Sequence, residues 1–168
     1  MKGKILTAKL NDVEYINFIG VVRYSDCSGL EAYIEQLFNS NESVNDIAIN
    51  LEKADMLDST ALGLLARISI EFDKKVGKKP IIFVHKGELA HILRRVCFDQ
   101  VFRVITSDRL SGNETELKND RNLNFVELAT IASDEKEVLE SVILAHKSLA
   151  EVSEENEHYY TDISKALT

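Results

Sequence analysis

At 168 residues the chain has room for one domain and an appendage, and its 45% apolar fraction is that of a folded core, not of a disordered polymer. The net charge of −8 argues against nucleic acid as the main ligand, because phosphate contacts need clustered Lys and Arg. No apolar run reaches the roughly 18 residues of a membrane span, and Met1-Lys2-Gly3-Lys4 leads into no signal-like hydrophobic stretch. Two cysteines, Cys27 and Cys97, are too few for a disulfide framework and have no metal-ligand spacing. The expectation is a cytoplasmic protein with free thiols, no cofactor, no bound metal and no membrane contact.

Lys4–Leu10 reads as a strand, Asn11-Asp12 as a turn, and Tyr15–Val22 as a second strand close enough to form a hairpin. Leu30, Tyr33, Ile34, Leu37 and Phe38 recur at helical spacing and predict a helix over 28–39. The alternating run Ile47–Leu51 predicts a strand that stops in a polar loop, and Ser59–Val76 a long helix. Gly77 suits the C′ position of that helix, with Lys74, Lys75, Lys78 and Lys79 at the negative end of its dipole. Ile81–His85 predicts a strand, Glu88–Val96 a shorter helix and Val101–Ile105 a last strand. Strands and helices alternating after a hairpin predict an α/β fold: a mixed sheet packed with α-helices.

Residues 1–105 hold 14 acidic and 14 basic side chains, whereas 106–168 hold 14 acidic against 6 basic. The charge imbalance therefore belongs to the last third of the chain. The expected organisation is a core domain over 1–105, a polar linker over 106–122 and an acidic, helical C-terminal extension over 123–168. In the extension Phe125, Leu128, Ala129, Ile131 and Ala132 are apolar. Val138, Leu139, Val142, Ile143, Ala145 and Leu149 continue at helical spacing, with Tyr159, Ile163 and Leu167 in line behind them. Such a stripe can fold back onto the core or serve as a second interaction surface, for a homodimer through the C-terminal helices or for another partner.

The most informative stretch is Asp58-Ser59-Thr60-Ala61-Leu62-Gly63, where a strand and loop feed a helix N-terminus. The simple account makes Asp58 an N-cap that accepts a first-turn N–H. The same geometry places the Ser59 hydroxyl on a rim, where a phosphoryl group of about −1.5 to −2 charges would sit at the positive end of a helix. A partner docked on that rim would meet this dianion beside Asp55 and Asp58. Modification would then cost the fold little and the interface much. Gly63, inside the helix, is expected to allow close packing against the sheet.

This hexapeptide is similar to the Asp-Ser-Ser/Thr-x-Leu-Gly signature of the STAS domain, the fold of bacterial anti-sigma factor antagonists. The run Glu88–Val104, "ELAHILRRVCFDQVFRV", resembles that family's helix after the fourth strand and the Leu-Asp-x-Leu-Phe pattern that follows. The resemblance spans Lys4 to about Ile105. Ala61 and Cys97 stand where many members carry Gly, and Cys97 makes a positive φ less expected at that position.

By position, the resemblance implies that Ser59 is the phosphoacceptor, with Thr60 a second acceptor. It implies a partner-binding surface made of Asp55, Met56, Asp58, Ser59 and Thr60, the helix positions Leu62 and Leu65, and nearby Tyr24 and Asp26. It further implies a non-enzymatic switch. The unphosphorylated domain would bind an anti-sigma factor of histidine-kinase-like ATPase fold and free the sigma factor. That kinase would phosphorylate the serine, and a PP2C-type phosphatase would restore it. The long extension resembles that of the proteobacterial antagonists controlling biofilm formation and secretion.

Two other readings compete. One is a STAS scaffold that assembles a signalling complex through its tail. The other is an α/β enzyme or ligand-binding domain, against which stand the lack of a G-x-S-x-G elbow around Ser59 and of any phosphate-binding glycine motif. His85, His91, His146 and His158 are scattered singly, as packing or surface histidines are.

Overall fold

The computed structural model describes residues 2–107, 123–131 and 134–159. From residue 108 onward the expected linker lies outside the described residues, as do Ala132, Ile163 and Leu167.

Strand β1 (Lys4–Leu10) turns through Asn11-Asp12 into β2 (Val13–Val22), with Leu10 paired to Val13. Both turn residues have positive φ, 52° and 62°, the two-residue hairpin geometry that Asn and Asp tolerate best after Gly. Helix α1 (Ser28–Asn39), strand β3 (Asp46–Leu57), helix α2 (Ser59–Val76) and strand β4 (Ile81–Val84) follow. Helix α3 (Glu88–Arg95) and strand β5 (Arg103–Thr106) complete the alternation. Gly77 closes α2 in the left-handed conformation (φ 73°), its N–H donating to the Asp73 carbonyl at 2.8 Å.

The sheet order is β5-β4-β3-β2-β1-β6 among the described residues, parallel from β2 to β5 and antiparallel around β1. Period-two alternation sorts the strands onto two faces. Ile5, Ile16, Phe18, Ile47, Ile49, Leu51, Ile82 and Val84 join the helices in the main core, while Ala8, Tyr15, Ala48, Ile81 and Phe83 form a smaller cluster on the other face. The fold is the expected mixed α/β sheet with its helices.

Two elements differ from their sequence reading. The stretch 52–57 was expected to be a polar loop, but it continues β3: Lys53, Ala54, Met56 and Leu57 pair with Ile19, Gly20, Val21 and Val22. β4 pairs only with Ala48–Asn50, so among the described residues the far half of β3 has β2 on one side and no strand on the other. Glu52, Lys53 and Asp55 stand among Ala54, Met56 and Leu57 there, and the backbone stays in the ladder. The extension, expected to be helical, opens instead with strand β6 (Val126–Glu127) on the edge of β1, and Leu128 N–H donates to the Ile5 carbonyl at 2.8 Å. Phe125 packs on the smaller cluster and Leu128 on the main core, an alternation between faces that suits a strand.

Beyond β6 the chain crosses the start of α1, where Ile131 N–H donates to Ser28 Oγ at 2.7 Å. Asp134 then caps helix α4 (Glu135–Val152), its carboxylate accepting from Glu137 N–H at 2.8 Å. α4 packs along α2, and Leu149 and Val152 enter the main core. A further helical turn, 154–159, is tied to the end of α3 by the buried Asn156 amide, which donates to the Val96 carbonyl at 2.6 Å. Of the two dispositions open to the apolar stripe, this is the folded-back one.

Cys97 corrects another expectation: despite its side chain it adopts φ 63°, ψ 27°. Its neighbours Val96 and Phe98 are both buried, and its N–H donates to the Arg94 carbonyl, so packing on either side fixes a conformation unfavourable to an L-residue. His85 is not a lone surface group. It lies 2.7 Å from Ser107 Oγ, which donates to Glu52 Oε2 at 2.6 Å, joining the middle of β3 to the residues just after β4 and β5.

Candidate functional site

The site is assembled where β3 ends. Asp58 has extended backbone angles (φ −79°, ψ 176°), and one carboxylate oxygen accepts from Ala61 N–H at 2.9 Å, the N-cap contact that starts α2. The other oxygen accepts from Tyr24 N–H at 2.7 Å, and the Asp58 N–H donates to the Val22 carbonyl. One side chain thus fixes both the helix start and the turn that follows β2. Within that turn Arg23 N–H donates to Asp26 at 3.1 Å.

Ser59 is the first residue of α2 and is half-buried. Its Oγ lies 2.8 Å from Nε2 of His146 on α4, a hydrogen bond in which either group donates according to the imidazole tautomer. The sequence reading counted His146 among scattered packing or surface histidines. The signal was present, because His146 falls on the same helical stripe as Val142, Ala145 and Leu149.

The other expected surface residues divide into two groups. Tyr24 (53% exposed), Met56 (49%) and Asp55 stand out on the rim, with Asp26 and Asp58 half-buried behind them. Thr60, Leu62 and Leu65 are buried, so in this conformation they offer no surface to a partner. Thr60 faces Val138 and Val142 of α4 across a void of about 30 Å³. Leu139 and Leu144 remain exposed on α4, and a dimer through these helices would have to use them.

Gly63 serves a different neighbour from the one expected. A Cβ at this position would lie 2.6 Å from Ala145 Cβ and would also strike the Ala145 carbonyl, so the glycine admits α4 and not the sheet. Gly29 on α1 does the same for the incoming segment, where an added Cβ would collide with the backbone carbonyl of Ala129. Both glycines of the core helices that face the extension are thus shaped to it.

Burial lowers the pKa of His146 below its ordinary 6.5, with the nearby Asp58 carboxylate pulling weakly the other way. A depressed histidine pKa means that the folded state binds its proton less readily than the released one. The docking of α4 is therefore fully present above pH 6.5 and weakens as the pH falls through the depressed value. Protection of α4 amides should drop on acidification from pH 7, and His146→Gln should remove that dependence; equal pH profiles for the two chains would exclude the effect. Burial, with the Asp58 and Asp26 carboxylates adding to it, pushes the Cys27 thiol well above its usual range. Among the described residues no helix is long and apolar enough to cross a membrane, and no cluster of three His, Cys, Asp or Glu side chains is placed to hold a metal.

Comparison with known proteins adds three findings. A family model described as the STAS domain matches residues 15–111. No curated protein sequence matches the chain. Among solved structures, the anti-sigma factor antagonist SpoIIAA in its unphosphorylated form superposes with a TM-score of 0.51 at 15% identity, covering 70% of this chain and 98% of its own. At that identity the likeness concerns the fold, and the uncovered part of the present chain marks its greater length.

Proposed function

The chain belongs to the STAS domain family, and from that premise we propose that it is an anti-sigma factor antagonist switched by phosphorylation of Ser59. Unphosphorylated, it binds an anti-sigma factor of histidine-kinase-like ATPase fold and frees the sigma factor. Phosphorylation by that kinase ends the binding, and a PP2C-type phosphatase restores it. Ser59 is a substrate side chain here, and the protein supplies no catalytic group of its own.

The observation that carries the reading is the position of Ser59. It opens α2 beside exposed Tyr24, Asp55 and Met56, with its hydroxyl at the helix N-terminus and the Asp58 carboxylate next to it. The helix end tolerates added negative charge, whereas a docked surface facing Asp55 and Asp58 does not: like charges brought together at an interface cost several kcal/mol. A SpoIIAA-like fold supports an anti-sigma factor as the class of partner.

Titration calorimetry against the kinase-like partner tests it. Ser59→Ala should bind at least as well as the native chain. Protein phosphorylated at Ser59 should bind about a hundredfold more weakly or worse, with Ser59→Asp in between as an imperfect mimic. Equal affinities for all four samples would overturn the proposal. Thr60, buried under α4, should acquire phosphate only after Ser59, if at all, as fragment mass spectra of partly phosphorylated protein will show.

A further inference from the structure

We propose that α4 is an internal competitor of the partner: docked on α2 it closes the Ser59 face, and the partner binds only the fraction of molecules in which α4 has been released. The inference rests on the reading of Ser59 as the switch and adds a second control to it, located in the extension.

Three observations put α4 over this face. His146 Nε2 is within 2.8 Å of Ser59 Oγ, so a partner that needs this hydroxyl must first separate it from the imidazole. Ala145 backbone and side chain fill the space above Gly63, one helical turn along α2 from Ser59. Val138 and Val142 face Thr60 across a void of about 30 Å³ between α4 and the start of α2. Of the expected docking residues, Thr60 is buried facing α4, Leu62 lines a pocket with the end of α3 and the 154–159 turn, and Leu65 lies in the main core, while rim residues Tyr24, Asp55 and Met56 are exposed. Half of the surface is open and half is covered by the chain itself.

The same geometry couples closure to modification. A phosphoryl group on Ser59 Oγ cannot be placed between that oxygen and an imidazole nitrogen at hydrogen-bond distance, so modification breaks the contact that joins Ser59 to the docked His146. Phosphorylation of Ser59 is therefore expected to release α4 even as it blocks the partner. The extension would then be free in the phosphorylated protein and docked in the unmodified one.

The test uses the full chain altered on either side of the contact, once on the extension, which leaves the STAS face native, and once on α2. Ala145→Glu places a charged, longer side chain against Gly63 and should lift α4. Gly63→Ala approaches the same contact from the other side and strengthens α2, because alanine is the better helix former. Unchanged amide protection in β3 establishes that each variant is folded. Apparent affinity scales with the competent fraction, so the fold-increase in α4 amide exchange should match the fold-increase in affinity for the kinase-like partner. For Ala145→Glu we expect both to rise about tenfold or more.

Faster α4 exchange in Ala145→Glu with the affinity of the native chain would overturn the inference while leaving the Ser59 switch standing. Unchanged α4 exchange in both variants would overturn it too, because α4 would then not be held by this contact. No binding by the native chain or either variant would remove the Ser59 reading and this inference together.

Discussion

Leu149→Ala should loosen α4 by about 2–4 kcal/mol, the usual cost of truncating a fully buried leucine, and should leave the sheet as protected as before. Leu149 is 0% exposed and belongs to the main core. It reaches that core from an element joined to the rest by packing against α2 and by the turn at 154–159, not by a sheet ladder. Proteins open in cooperative units, and an element added over a finished core is a natural unit of low stability. The loss corresponds to about a 30- to 1000-fold rise in the exchange of α4 amides. Leu139→Ala, which alters a residue 42% exposed on the same helix, should move them by no more than about 0.5 kcal/mol. If α4 and β3 lost protection equally in Leu149→Ala, the helix would open only with the whole domain. Partner binding could not then be gated by α4 alone.

How far such behaviour could be read beforehand depends on the range of the interactions involved. The bounds of β1, α1 and α2 fall where periodicity and capping residues put them, because an N-cap aspartate or a C-terminal glycine acts within a turn of its own position. The Ser59 signature was legible for the same reason. β6 was not: Val126–Glu127 takes extended form because a strand edge far back in the chain offers unpaired backbone groups. The far half of β3 looked like a loop because Glu52, Lys53 and Asp55 break the apolar alternation where β4 no longer pairs, although the ladder with β2 continues.

Gly63 and His146 show the same limit at the site itself. Each was visible as an oddity, a glycine within a helix pattern and a histidine on an apolar stripe. Nothing in the sequence joined them, since their meeting depends on how two helices lie against each other. Cys97 is the converse case. Local preference disfavours its left-handed conformation, and the burial of Val96 and Phe98 overrides that preference.

Asp58→Ala should destabilise the domain by about 2–3 kcal/mol, more than a helix cap alone accounts for. A lone N-cap aspartate replaced by alanine typically costs about 1 kcal/mol. Here the second carboxylate oxygen holds Tyr24 N–H at 2.7 Å, and a hydrogen bond to an ionised group contributes about 1.5–3 kcal/mol, discounted because this carboxylate is only half-buried. Asp58→Asn keeps one acceptor oxygen and should lose about half as much. Denaturant unfolding at neutral pH gives the magnitudes, and amide exchange at Tyr24 and Ala61 tells the two bonds apart, since Asn can satisfy only one of them with its carbonyl. A loss under about 0.5 kcal/mol for Asp58→Ala would mean that water replaces both contacts without penalty. The carboxylate would then have to owe its place beside Ser59 to the switch and not to the fold. A loss of the expected size makes Asp58 serve both: it builds the helix end that tolerates a phosphoryl group and supplies the fixed negative charge that makes that group intolerable to a docked partner.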